Sequence, residues 1–504
     1  MGAQTPSKGI DCASYQHLRL ALPCALTNRQ QQVILSLSFY VLYNLMLHPL
    51  RKYPGPKLWA AIRIPHSMMI LRGNPHREIL SLHQRYNADI IRISPNGLSF
   101  LHPDAWKDIM GHRKGKAEEN GKDHTEEGNK EILFSDRENH SRFRRILANG
   151  FSAKSMQDQE PIILSYIDLL IKRLHGIASR GPVDVVAWYN YTTFDIIGDL
   201  AFGEPFGCLD NSEYHPWVRL IFERIKMLML FNVANSYKGV GPLLKMFVPK
   251  SLIKSGLAHM ELVREKVNKR VSLGMSRPDF AEAMLKKKEE EAMTEEEIHE
   301  NSNVLIIAGS ETTATALSGA TYLLTTNPDV LAKLAHEVRS EFATEEEINI
   351  KSTARLEYLQ AVLEETLRMY PPVPSALPRL TPPSGQEVMG QWVPGNTSLA
   401  VWHWAMYHTE KNFAKPFEFR PERWLGDAEF ANDRGDALMP FHTGPRNCIG
   451  MNLAYAEMRI ILSRIIWNFD LQLAPESRNW IDHPVFVLWH KPGLMVHLTP
   501  RKSG

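Results

Sequence analysis

Cysteine is scarce in this sequence. The 504 residues contain only Cys12, Cys24, Cys208 and Cys448, and no two of them form a C-x-x-C pair. Their spacing excludes a dense disulfide framework and a cysteine-rich metal site. A functional cysteine would therefore act alone in a reducing compartment, as a nucleophile or as a single metal ligand.

An excess of charge of one sign is also missing. The formal net charge is +2, and no basic stripe with interleaved aromatic residues occurs, so nothing predicts binding to nucleic acid. The sequence also lacks internal repeats and the alternation of strands and helices that builds a nucleotide-binding sheet. What is present, 44% hydrophobic and 23% charged residues, is ordinary for a globular protein with a large core.

A long apolar run without charge occurs near the start of the chain. Residues 32–50, QVILSLSFYVLYNLMLHPL, contain no Asp, Glu, Lys or Arg and are long enough to cross ~30 Å of hydrocarbon. We expect a single-pass membrane anchor here, preceded by a polar segment (1–31) and followed by the globular part (51–504). A buried core helix is the alternative, because Asn44 and His48 interrupt the run. A cleavable signal peptide does not fit a run that starts so far from the first residue.

The globular part shows mainly helical signals. The clearest helix spans residues 294–325, because Thr294 and Glu297 form a capping box at its start. Shorter helices are expected over residues 354–370 and after Cys448. These patterns predict a mainly α-helical protein.

Strand signals are short and peripheral. Residues 90–100 form a hairpin pattern, and residues 373–409 contain short β-type stretches such as LAVWHW (399–404). The almost wholly polar run 111–130 is expected to be a mobile, solvated loop. Small β-sheets should therefore lie at the edge of the helical body.

The stretch FHTGPRNCIG (441–450) displays Cys448 just before a predicted helix. Free N–H groups at a helix start favour a thiolate, and Gly444 and Gly450 allow unusual backbone conformations. A nucleophile would need a base, and His442 is the only local candidate. A metal thiolate needs no base, but the metal must bring its other ligands, as haem iron does. An inert buried cysteine is the third possibility.

The centre of the long helix reads AGSETT (308–313), with glycine and threonines where strong helix formers are expected. Its small residues leave room beside the helix for a flat, bulky group. The Thr312 hydroxyl would point into that space, and the adjacent Glu311 could relay protons. Close packing against another helix is the alternative. The positions expected to share this face are Leu305, Ala308, Gly309, Thr312 and Ala316.

Two further stretches are informative only together with these. EETLR places Glu365 and Arg368 one helical turn apart, a pair that is commonplace by itself. FRPERW (419–424) places Arg423 in a proline-marked loop shortly before the cysteine segment.

These four elements resemble the motifs of the cytochrome P450 family, the haem-thiolate monooxygenases. FHTGPRNCIG matches the family's haem loop F-x-x-G-x-R-x-C-x-G at every fixed position, and AGSETT matches its oxygen-activation motif. EETLR contains the family's E-x-x-R, and FRPERW stands for its P-E-R-F segment, with Trp424 replacing Phe. The resemblance extends from about residue 50 to 500 and implies the P450 fold, with a long central helix over haem b.

The resemblance also implies residue roles. Cys448 would be the axial iron ligand, with Phe441 packed near its sulphur. Thr312 and Glu311 would deliver protons to iron-bound dioxygen. The triad Glu365, Arg368 and Arg423 would stabilise the fold. The expected haem-propionate partners are Arg446, Arg144, His140 and Arg379.

Partners and location follow from the same resemblance. The N-terminal run resembles the endoplasmic-reticulum tether of eukaryotic members, which implies a cytosolic catalytic domain and NADPH–cytochrome reductase as electron donor. We expect a monomer that acts on a lipophilic small molecule. Three stretches resemble filamentous-fungal members that tailor secondary metabolites: HPLRKYPGPKLWA, ISPNGLSF and AGSETTATALSGATYLLTTNP. This resemblance implies a tailoring hydroxylase or epoxidase of polyketide, terpenoid or alkaloid biosynthesis. Family substrate contacts map to residues 113–135, 303–307, 375–377 and 486–488.

Other functions are compatible with the same residues. A haem-thiolate isomerase, dehydratase or peroxide-using enzyme is disfavoured by the Glu311-Thr312 pair, which those branches often lack. A xenobiotic or fatty-acid hydroxylase, a non-catalytic haem sensor or carrier, and a cysteine hydrolase are the remaining alternatives.

Overall fold

The computed structural model describes residues 28, 30–113, 119–122, 130–213, 216–237, 239–273, 277, 279–285 and 292–501. The predicted polar segment 1–31 lies almost entirely outside the described residues, as does much of the polar run 111–130. Within the described part, helices dominate and the sheets are small, which confirms the predicted fold class.

The helices are numbered here in chain order, starting after the N-terminal segment. They are α1 (Lys57–Ala61), α2 (Ile64–Arg72), α3 (Pro75–Tyr86), α4 (Asp104–Met110), α5 (Arg137–Ala148), α6 (Ala153–Ile177), α7 (Val185–Phe202), α8 (Cys208–Asn211), α9 (Pro216–Asn235), α10 (Gly241–Lys245), α11 (Lys250–Leu273), α12 (Phe280–Leu285), α13 (Glu295–Thr326), α14 (Pro328–Glu341), α15 (Ile350–Thr353), α16 (Glu357–Met369), α17 (His403–Tyr407) and α18 (Met451–Asn468).

The strands form four small sheets. They are β1 (Ile90–Ser94), β2 (Gly97–Phe100), β3 (Gly121–Lys122), β4 (Val183–Asp184), β5 (Arg379–Leu380), β6 (Gln386–Val388), β7 (Gln391–Val393), β8 (Ser398–Val401), β9 (Phe469–Leu473), β10 (Val485–Phe486), β11 (Leu488–Trp489) and β12 (Met495–Pro500). The largest sheet has the order β1-β2-β8-β5-β3, and only its β2–β8 pair is parallel. A second sheet has the order β4-β12-β9, and β6–β7 and β10–β11 are separate hairpins.

Helix α13 is the central element of the core. It begins with the predicted capping box of Thr294 and Glu297 and packs along α7. Gly309 permits this close approach, because a Cβ there would lie 2.7 Å from Cδ1 of Ile197 on α7. Helix packing therefore explains the glycine of AGSETT, as the alternative interpretation of this stretch proposed.

Two sequence expectations need correction. The stretch LAVWHW is not one strand, because β8 ends at Val401 and α17 begins at His403. The polar run 111–130 is not solvated throughout, since Asn120 and Lys122 are buried. Lys122 lies on β3 directly opposite Arg379 on β5, so pairing with the large sheet draws this charged residue inward.

The N-terminal apolar run is helical and exposed. Residues 30–42 are helical, a π-helical turn follows at Tyr43–Leu47, and His48 ends it with extended backbone angles. The large apolar side chains from Val33 to Leu47 are mostly exposed, which contradicts the buried core helix. Asn44 is buried instead, and its Nδ2 donates to the Ala61 carbonyl at 2.9 Å.

Within the described residues, none of the helices combines the length and the apolar character that crossing a membrane requires.

Candidate active site

The loop that carries Cys448 is held in a tight turn. The Cys448 N–H donates to the Phe441 carbonyl at 2.8 Å, and Gly444 adopts φ +78°. A Cβ on Gly444 would lie only 1.9 Å from the carbonyl oxygen of Met110 at the end of α4. Gly444 is therefore required both by its backbone angle and by this close approach.

Gly450 has a different role from the one expected. Its φ of −86° is open to any residue, and a Cβ there would meet Phe151 and the Cys448 sulphur at ordinary contact distances. It is the N-terminal cap residue of α18, and its backbone N–H hydrogen-bonds the Cys448 sulphur. The expected donor at the helix start is thus confirmed.

The pKa of Cys448 differs from the sequence expectation. Cys448 is accessible to solvent although dense protein surrounds it, so its accessible surface lies in a cleft. Burial raises the pKa of its thiol, and the Gly450 N–H and the Arg144 guanidinium only partly oppose this effect. The Gly450 N–H thus lowers the thiol pKa as the helix start predicts, but burial outweighs this effect and the expected net lowering is not found. A positive partner such as a bound metal would have to stabilise the thiolate.

Arg144 on α5 clamps the residue before the cysteine. Its guanidinium donates to the backbone carbonyl and the side-chain oxygen of Asn447, each at 2.5 Å. Asn447 directly precedes Cys448 in the chain. These hydrogen bonds from Arg144 therefore help to fix the position of the cysteine sulphur.

The predicted propionate partners lie close together. Arg446 donates to the Glu119 carboxylate at 2.8 Å and to the Ser135 carbonyl at 3.0 Å. Arg379 is buried, with Nε 3.0 Å from the Met110 sulphur.

The positive charges around His140 affect the pKa of its imidazole. Burial lowers the pKa of His140 most, and together with the nearby charges of Arg446, Arg144, Lys122 and Arg379, in that order, it brings this pKa to about 3. His140 is therefore a neutral group among buried cations.

Lys122 is a member of this cluster that the sequence interpretation missed. Burial, followed by the charges of Arg379 and Arg446, lowers its pKa well below the ordinary value. Its position in a polar run gave no signal of burial. Only the register of β3 against β5 places it opposite Arg379.

The cluster fits the carboxylates of a haem. Among the described residues, Arg379 Nη1 is buried without a hydrogen-bond partner, and basic groups outnumber the acidic Glu119 and Glu131 around it. Burial and Arg446 lower the pKa of Arg379 to about 10. Unpaired buried charge is costly, and a dianion would offset it. The described chain contains no cluster of three or more His, Cys, Asp or Glu residues suited to a metal, so a metal at Cys448 must bring other ligands.

The central helix is accessible at three of the five expected positions. Ala308 is exposed and Gly309 and Thr312 are half-buried, whereas Leu305 and Ala316 are buried. The predicted open face is therefore narrower than the five expected positions. The Thr312 hydroxyl donates to the Ala308 carbonyl at 2.6 Å.

The Glu311 side chain contacts Lys491 and not Thr312, the residue with which it was expected to act. Its buried carboxylate forms an ion pair with Lys491, and the Thr315 hydroxyl donates to Oε1 at 3.2 Å. Glu311 is thus not bonded to Thr312 in this conformation.

The predicted structural triad is confirmed. Arg368 donates to both carboxylate oxygens of Glu365, at 2.9 and 2.8 Å, and neither side chain is exposed. Arg423 Nε lies 3.4 Å from Glu365 Oε2 and also pairs with Asp433. The arrangement joins α16 to the segment before the cysteine loop.

His442 does not act as a base for Cys448. Its ring contacts Trp106 and His403, with centroids 5.4 and 4.7 Å away. Burial, with contributions from His403, Lys122 and Arg379, lowers its pKa well below the ordinary value. This arrangement removes the support for a cysteine hydrolase.

Comparison with known proteins agrees with this geometry. Residues 53–498 match the family described as Cytochrome P450. The chain is 49% identical over 469 residues to the trichothecene C-15 hydroxylase of Fusarium sporotrichioides, covering 92% of this chain and 95% of that protein. It is 43% identical over 471 residues to the cytochrome P450 monooxygenase astJ of Aspergillus oryzae, covering 92% and 94%. It is 43% identical over 477 residues to the averantin hydroxylase of Dothistroma septosporum, covering 92% and 90%.

The cysteine loop, the cation cluster and the buried triad thus occur in a chain that matches one family over most of its length. Its relatives are named as monooxygenases and hydroxylases. The chain belongs to the cytochrome P450 family of haem-thiolate monooxygenases.

Proposed function

We propose that this monooxygenase is a tailoring hydroxylase of secondary-metabolite biosynthesis that acts on a lipophilic small molecule. The observation that carries the proposal is Cys448 at the start of α18, beside Arg144 and the buried cation cluster. Relatives named for trichothecene and averantin hydroxylation, at 49% and 43% identity, support the substrate class.

Haem b, when bound, supplies the iron at which dioxygen is reduced and one of its oxygen atoms is transferred to the substrate. Cys448 would hold the iron as a thiolate, and Phe441, whose ring centroid lies 5.1 Å from that of Tyr455, would pack beside it. Thr312 would hold a proton at Oγ1, and Glu311 would replace that proton from its carboxyl group. The residues that would bind the propionates are Arg144, Arg379, Arg446, His140 and Lys122.

The substrate would be bound by segments that the fold brings together. Ser375 Oγ donates to the Val487 carbonyl at 3.0 Å, which joins residues 375–377 to the β10–β11 hairpin. On α13, Asn303 is buried and its Oδ1 lies 2.5 Å from Nε2 of His259 on α11. Much of the remaining expected segment, 113–135, lies outside the described residues.

Electrons would come from NADPH through NADPH–cytochrome reductase. Membership of the family supports a reductase partner, and the resemblance of the N-terminal run to eukaryotic tethers supports this particular donor. The catalytic domain would then lie in the cytosol, as a monomer at the endoplasmic-reticulum membrane.

Exposed apolar side chains support attachment to a membrane through residues 32–50. Leu35 and Phe39 are each 68% exposed on the N-terminal helical segment. A second apolar surface lies after α10, where Met246 and Phe247 are 78% and 77% exposed. Contact of these apolar side chains with lipid lowers the free energy relative to their exposure to water, which favours binding to a membrane.

Spectral binding and product analysis test the proposed function. The purified holoenzyme would be titrated with a panel of lipophilic metabolites, including trichothecene and averantin precursors and a fatty acid as comparison. Each spectral ligand would then be incubated with NADPH, reductase and ¹⁸O₂. We expect a hydroxylated product that carries one ¹⁸O atom and requires NADPH. Conversion without NADPH and without ¹⁸O incorporation would instead indicate an isomerase or dehydratase.

A further inference from the structure

We infer that Lys491 is the positioning residue for Glu311, and that its ion pair holds this carboxylate directed away from Thr312 between proton transfers. The inference rests on the proposed role of Glu311 as a proton donor and adds a residue that no motif indicates. Lys491 lies 180 residues after Glu311, so their pairing exists only in the fold.

The first support is the geometry of the pair. Lys491 Nζ contacts Glu311 Oε1 and also donates to Thr315 Oγ1 at 2.9 Å, while Thr315 Oγ1 donates to Glu311 Oε1 at 3.2 Å. The three groups form a closed triangle. The side chains of Lys491 and Glu311 are only 3% and 5% exposed. Separating the two side chains would therefore leave buried charges that water can hardly reach, at a high cost in free energy.

The second support is the position of Thr315. It lies one helical turn after Glu311, on the side of α13 that faces Lys491, whereas the half-buried Thr312 is rotated by roughly 100° on the same helix. The Thr312 hydroxyl donates to Ala308 in this conformation. Transfer of a proton from Glu311 to Thr312 therefore requires the carboxyl group to leave Lys491.

The third support is the element that carries Lys491. The residue lies in the coil between β11 and β12, two positions after Trp489, whose ring stacks on Tyr370 with centroids 4.6 Å apart. The β10–β11 hairpin turns at Val487, with φ +71°, where its carbonyl accepts from Ser375. Both segments are expected substrate contacts. Lys491 therefore links the substrate side of the site to the proton donor.

Other titratable groups near the pair stay neutral. Burial, increased by the charge of Glu311, raises the pKa of Tyr370 well above its ordinary value. Burial, followed by the charge of Lys491, lowers the pKa of His483 to about 4. Tyr370 Oη and His483 Nε2 are 2.8 Å apart and satisfy each other. Lys491 thus supplies the positive charge that pairs with Glu311.

The proton balance is simple. Glu311 would take up one proton from a solvent hydronium ion, which leaves water, when it moves away from the ammonium group. It would pass this proton to Thr312 Oγ1 as Thr312 releases its own proton into the active site. Glu311 then returns as a carboxylate to Lys491, and no other reactant is consumed. Without Lys491, an unpaired buried carboxylate would keep its proton to higher pH.

Infrared spectroscopy of the substrate-free holoenzyme tests this step without turnover. The carboxyl C=O band of Glu311 is identified by its loss in Glu311→Gln. We expect this band to persist to higher pH in Lys491→Met than in wild type, because the opposite charge is lost, and Lys491→Arg to resemble wild type. An unchanged band in Lys491→Met overturns the inference.

Turnover provides the second measurement. The fraction of NADPH electrons that reach product should fall by roughly tenfold in Lys491→Met, since general acid catalysis by one group contributes at least this much. Its pH profile should also move upward. The same substitution in a Glu311→Gln background should change nothing further. An equal loss in that background would contradict action through Glu311.

Lys266→Met is the matched control for loss of a lysine ion pair. Lys266 on α11 pairs with Glu204 at 2.6 Å, outside the site. It should leave both the infrared band and the coupling unchanged. If wild type forms no product from any metabolite while the band shifts as expected, the proposed function fails and the inference about Lys491 stands.

Discussion

The indole Nε1 of Trp424 donates a hydrogen bond to Glu365 Oε2 at 3.0 Å. This contact adds a donor to the carboxylate that already binds Arg368 and Arg423. The departure of FRPERW from the family's P-E-R-F segment therefore has a physical role, because phenylalanine cannot donate here. The buried Glu365 carboxylate is held by two guanidinium groups, the Trp424 indole and the Arg420 backbone N–H.

Trp424→Phe should lower the free energy of unfolding by about 1.5–3 kcal/mol, the range for a lost hydrogen bond to a charged group. Urea unfolding of the holoenzyme measures this change. Trp467→Phe is the control, since its Nε1 lies a weak 3.4 Å from the Phe342 carbonyl and should cost less. Equal losses in the two variants would show that ring volume, not the bond to Glu365, decides stability.

Cys448→Ala should abolish binding of haem as a thiolate complex, because no other described cysteine lies at the site. The measurement is haem content together with the reduced-CO difference spectrum. Cys208→Ala is the matched control, because Cys208 is buried in α8 and should leave both readings intact. A thiolate spectrum in the Cys448 variant would contradict the assignment.

Arg379→Met should separate haem affinity from the stability of the protein without haem. Haem affinity should fall by about 1–3 kcal/mol through loss of a charge-assisted contact. The haem-free protein should be no less stable, since Arg379 forms no ion pair among the described residues.

Arg368→Met is the comparison variant for that experiment, because it should affect the stability of the haem-free protein. It should destabilise the haem-free protein by about 3–5 kcal/mol, because it leaves Glu365 charged and buried. Haem titration and urea unfolding of both variants give the comparison. A similar loss of stability in the two would refute the distinction.

Acid should destabilise the protein partly through His83. Burial lowers the pKa of His83 to about 4, and its ring nitrogens lie 2.7 Å from the Ala88 carbonyl and 2.8 Å from Ser99 Oγ. The unfolded chain binds the proton first, near pH 6.5, so stability is full above that pH and falls as pH drops toward 4. The contribution lost at pH 5 is about 2 kcal/mol.

His83→Gln should reduce this pH dependence. Glutamine keeps a donor and an acceptor but does not titrate. Urea unfolding at pH 7 and pH 5 should show a smaller difference for the variant than for wild type. Identical differences would exclude His83 as a source of the acid sensitivity.

Membrane attachment should depend on both apolar surfaces. A variant that lacks residues 1–42 keeps the buried Asn44 contacts and should bind vesicles of neutral phospholipid more weakly than the full chain. Adding Met246→Ser and Phe247→Ser should release it further, because both side chains are more than three-quarters exposed. Vesicle flotation measures the bound fraction. Unchanged binding of the combined variant would contradict the proposed attachment.

Local chemistry made several features predictable. The capping box of Thr294 and Glu297 and the hairpin over residues 90–100 depend on neighbours in the chain. The cysteine loop is equally local, since Gly444 and the start of α18 lie within a few residues of Cys448. The motifs therefore predicted the family, the thiolate ligand and the triad.

Other features were decided by residues far apart in sequence. Lys122 is buried because β3 pairs with β5, although its neighbours in the chain are polar. Gly309 faces Ile197 because α7 packs along α13, and Glu311 faces Lys491 from the end of the chain. The pKa of Cys448 depends on how much protein surrounds it, which outweighs the nearby N–H group.

The sequence by itself thus determined the chemistry that this protein can perform, because the essential residue types occur in short stretches whose local conformation follows from their neighbours. The tertiary structure alone decided which charges are buried, which are paired and where the proton donor points. Burial and pairing are sums over residues that only folding brings into contact.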